Sequence, residues 1–288
     1  MARVAYVNGR YVPQREACVN VEDRGYQFAD GVYEVVQLYG GRFIDEALHL
    51  DRLDRSLREI RVASPMSRAA LRAVLREVAR RNRIREGMLY IQVTRGVATR
   101  EHAFPAGPLS PSLVVTIRRA APFPTNPDDW AAAGITRPDL RWARCDIKGT
   151  GLLPNVLAKQ AARESGAYEA ILIAPDGMVT EGASTSVWIV DEAGILRTRH
   201  LSHAILPGCT RKALIGLMQD QTIPFEEGAF SHEALRRARE VFVTSASSFV
   251  KPLVRLDGVA VGDGVPGPVT RRLFDLFAAH VRAEARNT

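Results

Sequence analysis

A lysine, a glutamate, two runs of small hydroxyl residues and an Arg-x-His pair are the positions in this 288-residue sequence whose types and spacing point to chemistry. The lysine is Lys148 in "RCDIKGTG", with Trp142, Cys145 and Ile147 on one side and Leu152, Leu153 and Val156 beyond the glycines. An amine in apolar surroundings loses hydration, its ammonium form is disfavoured, and its pKa falls toward the range where the nitrogen is a nucleophile. Schiff-base chemistry requires such an amine. A lone lysine is otherwise a solvated surface charge, so the apolar flanks decide in favour of chemistry.

Glu181 lies in "VTEGASTS", inside an apolar strand pattern that follows the Pro175-Asp176-Gly177 turn signal. There it is either a polar residue on the exposed face of a hairpin or a carboxylate that holds a heterocyclic nitrogen in its protonated form, making the ring an electron sink. In "ILPGCTRKALIGLM", Gly208, Cys209 and Thr210 precede an amphipathic helix, with Thr210 suited to the N-cap. The same free amides and positive dipole end form a phosphate site. "VFVTSASS" adds a second cradle at Ser245, Ala246 and Ser247, and "HLDRLDRSL" supplies candidate phosphate cations at Arg52 and Arg55, each otherwise a surface arginine. In "VTRGVATREHAF", Arg100 and His102 are two apart, so in an extended loop both side chains point the same way. Arg100 can grip a carboxylate with a bidentate fork and His102 with one hydrogen bond; the alternative is a solvated loop.

The elements that must position these residues read as α+β. "RVAYVNGRYVP" alternates around Asn8-Gly9, the strongest short hairpin signal, and "GVYEVVQLYGGRFI" repeats the form around Gly40-Gly41. Helices are predicted over 46–61 and 68–82, followed by strands in "MLYIQVTRG" and "SLVVTIRR". The proline-rich "RAAPFPTNPDDW" suits a linker, which divides the chain into an N-terminal α+β domain at 1–119, a linker at 120–127 and a C-terminal α+β domain at 128–288 carrying the lysine. The second half reads as a strand near 136–147, a helix over 154–165, the hairpin "YEAILIAPDGMVTEGASTSVWIV", helices over 210–220 and 231–237, the strand "EVFVTSA" and a helix near 268–284.

Charge and cysteines narrow the function class. The net charge of +7 raises nucleic acid as a partner, yet Arg68, Arg72, Arg76 and Arg80 recur every four residues opposite Leu71, Val74, Leu75 and Val78, which is a solvated stripe behind a core face. No aromatics interleave with these arginines to stack bases, so no nucleic-acid partner is expected. Cys18, Cys145 and Cys209 are odd in number and lack CxxC pairing, which argues against a disulfide framework and a metal site and for a reducing compartment. No apolar run approaches the ~18 residues of a membrane span, and Arg3, Asn8 and Arg10 interrupt any leader, so a cytoplasmic location without membrane contact is expected.

Together, "EDRGYQFADGVYEVV", "HLDRL", "QVTRG" with "REHAFP", "RCDIK", "NVLAKQ", "YEAIL", "VTEGAS", "ILPGCTR" and "VFVTS" occur in the order seen in D-amino acid transaminases, and from about residue 4 to 275 the chain resembles this branch of the fold-type IV pyridoxal phosphate enzymes. The resemblance implies a two-domain α+β homodimer with pyridoxal 5'-phosphate in the cleft between domains and active sites shared between subunits. It implies that Lys148 bonds the cofactor as a Schiff base and shuttles the Cα proton, that Glu181 binds the pyridine nitrogen, and that Arg52, Thr210, Ser245, Ala246 and the Cys209 backbone hold the phosphate. Leu206 would pack on the cofactor ring, and Tyr33, with Arg100 and His102 of the neighbouring subunit, would hold the substrate carboxylate.

The implied reaction is ping-pong transfer of an amino group from a D-amino acid, typically D-alanine, to a 2-oxo acid such as 2-oxoglutarate. Branched-chain L-amino acid transaminases, (R)-amine transaminases and 4-amino-4-deoxychorismate lyases share the cofactor site, and a non-catalytic homologue would bind pyridoxal phosphate without carrying out the reaction. Two positions depart from the family pattern: Ser186 stands where asparagine is usual and Ala246 where a hydroxyl is usual. Serine keeps a hydrogen-bonding group and alanine keeps its amide, so weaker cofactor binding is expected before lost chemistry.

Overall fold

A computed structural model describes residues 3–107, 109–121 and 123–286. The chain forms two compact units: one of residues 1–122, 147–151 and 284–288, and one of residues 123–146 and 152–283. The sequence division at 128 assigns Lys148 to the C-terminal half; by contacts its segment lies with the first unit, because the Tyr33 amide donates to the Lys148 carbonyl at 3.0 Å and the Thr150 amide to Gly31 at 3.1 Å.

The first unit contains β1 (Val4–Val7), β2 (Arg10–Pro13), α1 (Arg24–Phe28), β3 (Gly31–Tyr39), β4 (Arg42–Phe43), α2 (Glu46–Glu59), α3 (Arg68–Asn82), β5 (Gly87–Thr94) and β6 (Ser112–Arg119). Its six strands form an antiparallel sheet in the order β2-β1-β6-β5-β3-β4. The β1–β2 hairpin turns at Asn8 and Gly9, both at positive φ, as that dipeptide predicts. Val32, Val36, Leu38, Leu89, Ile91 and Val115 pack with Leu50, Leu53 and Leu57 of α2 and Leu71, Leu75 and Val78 of α3. Burying each such side chain stabilises the unit by roughly 1.5–3 kcal/mol. The α3 arginine stripe is solvated, as its spacing implies, and neutralised locally: Arg68 pairs with Asp51, Arg72 and Arg76 with Glu46, and Arg80 with Glu77.

The second unit contains α4 (Pro127–Trp130), β7 (Ala132–Pro138), α5 (Leu153–Glu164), β8 (Glu169–Ile173), β9 (Val179–Gly182), β10 (Ser186–Val190), β11 (Leu196–Thr198), α6 (Cys209–Asp220), β12 (Glu226–Glu227), α7 (His232–Arg237), β13 (Glu240–Ser245), β14 (Phe249–Leu256), β15 (Val259–Ala260) and α8 (Pro268–Arg286). The strands follow the order β12-β11-β10-β13-β14-β7-β8-β9, parallel at β11–β12, β14–β7 and β7–β8, with β15 beside β14. The strand expected over 136–147 stops at Pro138. From Asp139 onward the chain forms ion pairs in place of a ladder, Arg141 with Asp139 and Glu181 and Arg144 with Asp146. The expected single hairpin around Glu181 is three strands, because β10 leaves β9 to pair with β11 and β13. Among the described residues, no helix is long and apolar enough to cross a membrane.

Candidate active site

Strand parity on β3 sorts its residues by role. Val32, Glu34 and Val36 are fully buried on the face covered by α2, whereas Tyr33 and Val35 are half-buried on the other. Tyr33 stacks on Tyr90 with ring centroids 5.6 Å apart. The Tyr90 phenol is pushed up to about 12 by burial and by its neighbour Tyr33, so it is protonated at neutral pH. Lys148 Nζ sits 4.3 Å from the Tyr33 ring centroid, and the Lys148 backbone amide donates to Ser56 Oγ at 3.3 Å. The lysine is therefore held against an aromatic face by a segment pinned to β3 and α2. Its flanks are less apolar than the sequence suggests: Ile147 and Cys145 are buried, but Trp142, Leu153 and Val156 are 56%, 69% and 57% exposed.

Arg52 is not a surface arginine. It lies on the buried stripe of α2 with Leu53, Ser56 and Leu57, and its Nε and Nη2 donate to the two oxygens of Glu34 at 2.7 and 2.9 Å. His49 Nδ1 is 2.8 Å from Glu34 Oε2. Burial alone would raise the Glu34 pKa, but Arg52 and then His49 outweigh it and hold the carboxyl well below the usual carboxylate range. Glu34 and His49 escape a search for charged motifs. The available signal is parity, since Glu34 occupies a core-facing position between two valines.

In the second unit, Glu181 is buried on β9. Its carboxylate pairs with Arg141 Nη1 and accepts the Leu206 amide at 3.2 and 3.1 Å. Leu206, expected to pack on a cofactor ring, thus also fixes the glutamate through its backbone. Arg141 forks onto Asp139, whose Oδ2 accepts Thr180 Oγ1 at 2.6 Å. Burial would lower the Arg141 pKa, and Asp139 with Glu181 overcomes it and raises it. Arg141 is hidden in the sequence because the stretch around it reads as strand.

Gly208, not Thr210, is the N-cap of α6, and no side chain caps this helix. Cys209 and Thr210 are buried in its first turn, whose amides lack intrahelical acceptors by position. A Cβ on Gly208 would lie 2.7 Å from Ser186 Oγ and 3.3 Å from Arg211 Cβ, so only glycine leaves this helix start open. An uncapped N-terminus of a twelve-residue helix with a glycine-only approach fits an anionic phosphate. Ser245 ends β13, and its hydroxyl lies 3.2 Å from Ser247 Oγ and 2.7 Å from Ser248 Oγ; Ala246 follows in the turn, half-buried.

Arg100 and His102 are exposed and converge on one aromatic: the Arg100 guanidinium is 5.0 Å from the Phe28 ring centroid and the His102 ring 5.4 Å from it.

This fold and this ordered set of residues define a class IV aminotransferase. Residues 31–256 match the family described as amino-transferase class IV, to which the chain belongs. Its relatives include the D-alanine aminotransferase of Bacillus licheniformis, 40% identical over 281 residues spanning 98% of both chains. The D-alanine aminotransferase of Listeria innocua is 42% identical over 279 residues, 96% of this chain and 95% of that one. Among solved structures, the branched-chain amino acid aminotransferase from Escherichia coli matches with a TM-score of 0.85 at 26% identity, covering 97% of this chain and 96% of that one.

Proposed function

We propose that the protein is a pyridoxal phosphate-dependent D-amino acid aminotransferase that moves an amino group from D-alanine or a similar D-amino acid to a 2-oxo acid such as 2-oxoglutarate. The observation that supports this reading best is the Arg100-x-His102 pair gathered on Phe28 in a chain about 40% identical, over nearly its whole length, to D-alanine aminotransferases. Pyridoxal phosphate supplies an electron sink for the bond broken at the substrate Cα. Lys148 would hold the cofactor covalently through Nζ and, as a free amine, would carry the proton taken from the substrate Cα. Glu181, fixed by Arg141 and the Leu206 amide, would be the carboxylate for the ring nitrogen, and Leu206 would pack on the ring.

The first-turn amides at Cys209 and Thr210, with Ser245 and the Ala246 amide, would hold the phosphate, and Arg52 would supply it a cation. Arg52 differs from a mobile surface cation in being aimed by Glu34, so its guanidinium is oriented before the phosphate arrives. Tyr33 would border the substrate carboxylate, with Arg100 and His102 supplied by the second copy of a homodimer. Exposed Val21, Tyr26, Val97 and Phe104, all in the unit that carries this pair, favour such a second copy. Steady-state assays with paired D- and L-amino acids test the reading: D-alanine with 2-oxoglutarate should react well and L-branched-chain amino acids poorly, and the reverse order would transfer the chain to the branched-chain activity.

A further inference from the structure

We propose that Arg24 and Phe28 are positioning residues that mould the loop carrying Arg100 and His102 into a carboxylate clamp and so set the preference for substrates that bear an α-carboxylate. The inference rests on the reading that Arg100 and His102 grip that carboxylate. The loop itself has little to hold it: residues 98–107 lie outside every helix and strand, and Arg100, Glu101 and His102 are exposed. What fixes it comes from below. The Arg24 side chain is 3% exposed, and its Nη1 and Nη2 donate to the carbonyls of Glu101 at 2.5 Å and His102 at 3.3 Å. Its Nε donates to Asp30 Oδ2 at 2.8 Å, and its own amide donates to the Gly96 carbonyl at 2.9 Å.

Asp30 is the anchor of this arrangement. Arg95 grips both of its oxygens, at 2.6 and 2.9 Å, and is itself tied to the carbonyls of Ile60 at 2.7 Å and Arg61 at 3.2 Å. Burial alone would raise the Asp30 pKa, but Arg95 and Arg24 outweigh it and lower it, so the anchor is charged at neutral pH. Arg24 therefore has one edge of its guanidinium fixed, which leaves the other nitrogens aimed at the two successive carbonyls on either side of His102. Phe28 completes the mould. The Arg24 guanidinium is 4.8 Å from its ring centroid and that of Arg100 5.0 Å, while the His102 ring packs at 5.4 Å. A buried cation needed only for charge balance could be a lysine, but a lysine cannot reach a carboxylate and two carbonyls in a planar fork.

The experiment compares Arg24→Lys, Phe28→Leu and Arg100→Ala with the parent holoenzyme in single-turnover half-reactions with D-alanine and with D-alaninol, which has the same stereocentre and no carboxylate. Loss of one charge-assisted contact corresponds to roughly a tenfold to hundredfold loss. Arg24→Lys should therefore raise the half-saturating D-alanine concentration about tenfold or more while the limiting rate and the D-alaninol efficiency change less than about threefold. Amide hydrogen exchange at residues 99–103 should accelerate in the same variant. Phe28→Leu should show the same selective pattern more weakly, and it decides the matter if Arg24→Lys does not fold, because it leaves the Arg24–Asp30–Arg95 cluster intact. Equal losses toward both substrates, or unchanged D-alanine saturation with unchanged exchange, would overturn the proposal. If Arg100→Ala itself loses both substrates equally, it is the clamp reading that fails; if Arg100→Ala is selective and the Arg24 and Phe28 variants are not, only the positioning role fails.

Discussion

Replacing Glu34 with glutamine removes one negative charge from a side chain that is 0% exposed and changes its size very little. Glu34 accepts Arg52 at 2.7 and 2.9 Å and faces His49 Nδ1 at 2.8 Å. Glutamine offers one oxygen, and its NH2 group would oppose a donor, so at least two of these three contacts weaken. Hydrogen bonds to charged groups contribute about 1.5–3 kcal/mol each, and removing one member of a buried ion pair costs about 3–5 kcal/mol because the other stays behind as an uncompensated charge. We expect Glu34→Gln to lose about 3 kcal/mol of unfolding free energy at pH 7 in cofactor-free protein. Arg52, no longer aimed, should also lower cofactor affinity by roughly tenfold.

The pH dependence follows from the depressed Glu34 pKa. Its stabilisation is fully present well above the unfolded-state value of about 4.3 and is lost progressively as pH falls from there toward the depressed native value, so the gap between parent and variant should start to shrink near about pH 4 and go on shrinking below about pH 3. Urea midpoints at pH 7 and pH 4, with cofactor titrations followed by absorbance, measure both effects. Equal midpoints and equal cofactor affinity at pH 7 would refute the idea that Glu34 braces Arg52.

Three other outcomes are expected. Lys251 is buried, donates to the Trp130 carbonyl at 2.8 Å and lies 3.4 Å from that ring's centroid, and burial, then Lys159, push its pKa down to about 8. The native state thus disfavours the ammonium below pH 8, a penalty relieved as pH rises from about 8 toward the unfolded value; Lys251→Met should raise stability by about 1–2 kcal/mol at pH 7, with the gain fading by pH 9–10, as thermal melts across pH would show. Glu181→Gln should cut turnover by far more than it cuts cofactor affinity, because the amide can still accept the Leu206 amide but cannot hold a ring nitrogen protonated; kcat beside a cofactor titration reads both. Ellman's reagent should label one thiol per native chain quickly, the exposed Cys18, since Cys209 is buried and burial lifts the Cys145 thiol to about 11; peptide mapping would identify it.

Much of the candidate site is legible in the sequence because its residues sit in short local motifs. Glu181 follows a turn that fixes its strand, and Cys209 and Thr210 open a helix whose periodicity is plain. What sets the orientation of these groups is not legible, because it depends on contacts far apart in sequence. Glu34 reaches Arg52 across 18 positions, Arg141 reaches Glu181 across 40 and Arg24 reaches Glu101 across 77. The loop after Pro138 misleads for a related reason: its apolar residues suggest a strand, whereas its charged residues find ion-pair partners that hold the backbone away from a ladder. Thr210 suits an N-cap by residue type, yet the cap falls on Gly208, which fits the tight approach to Ser186 that a larger residue would block.

This aminotransferase acts on the D enantiomer. The most direct test of that preference is the exchange of the substrate Cα hydrogen for deuterium, followed by NMR, when holoenzyme is incubated in deuterated water with D-alanine and, separately, with L-alanine and L-leucine. Lys148 as the proton carrier and Arg100 with His102 as the clamp predict rapid exchange in D-alanine that vanishes in Lys148→Ala, and exchange slower by orders of magnitude in either L-amino acid. Faster exchange in L-leucine than in D-alanine would contradict action on the D enantiomer.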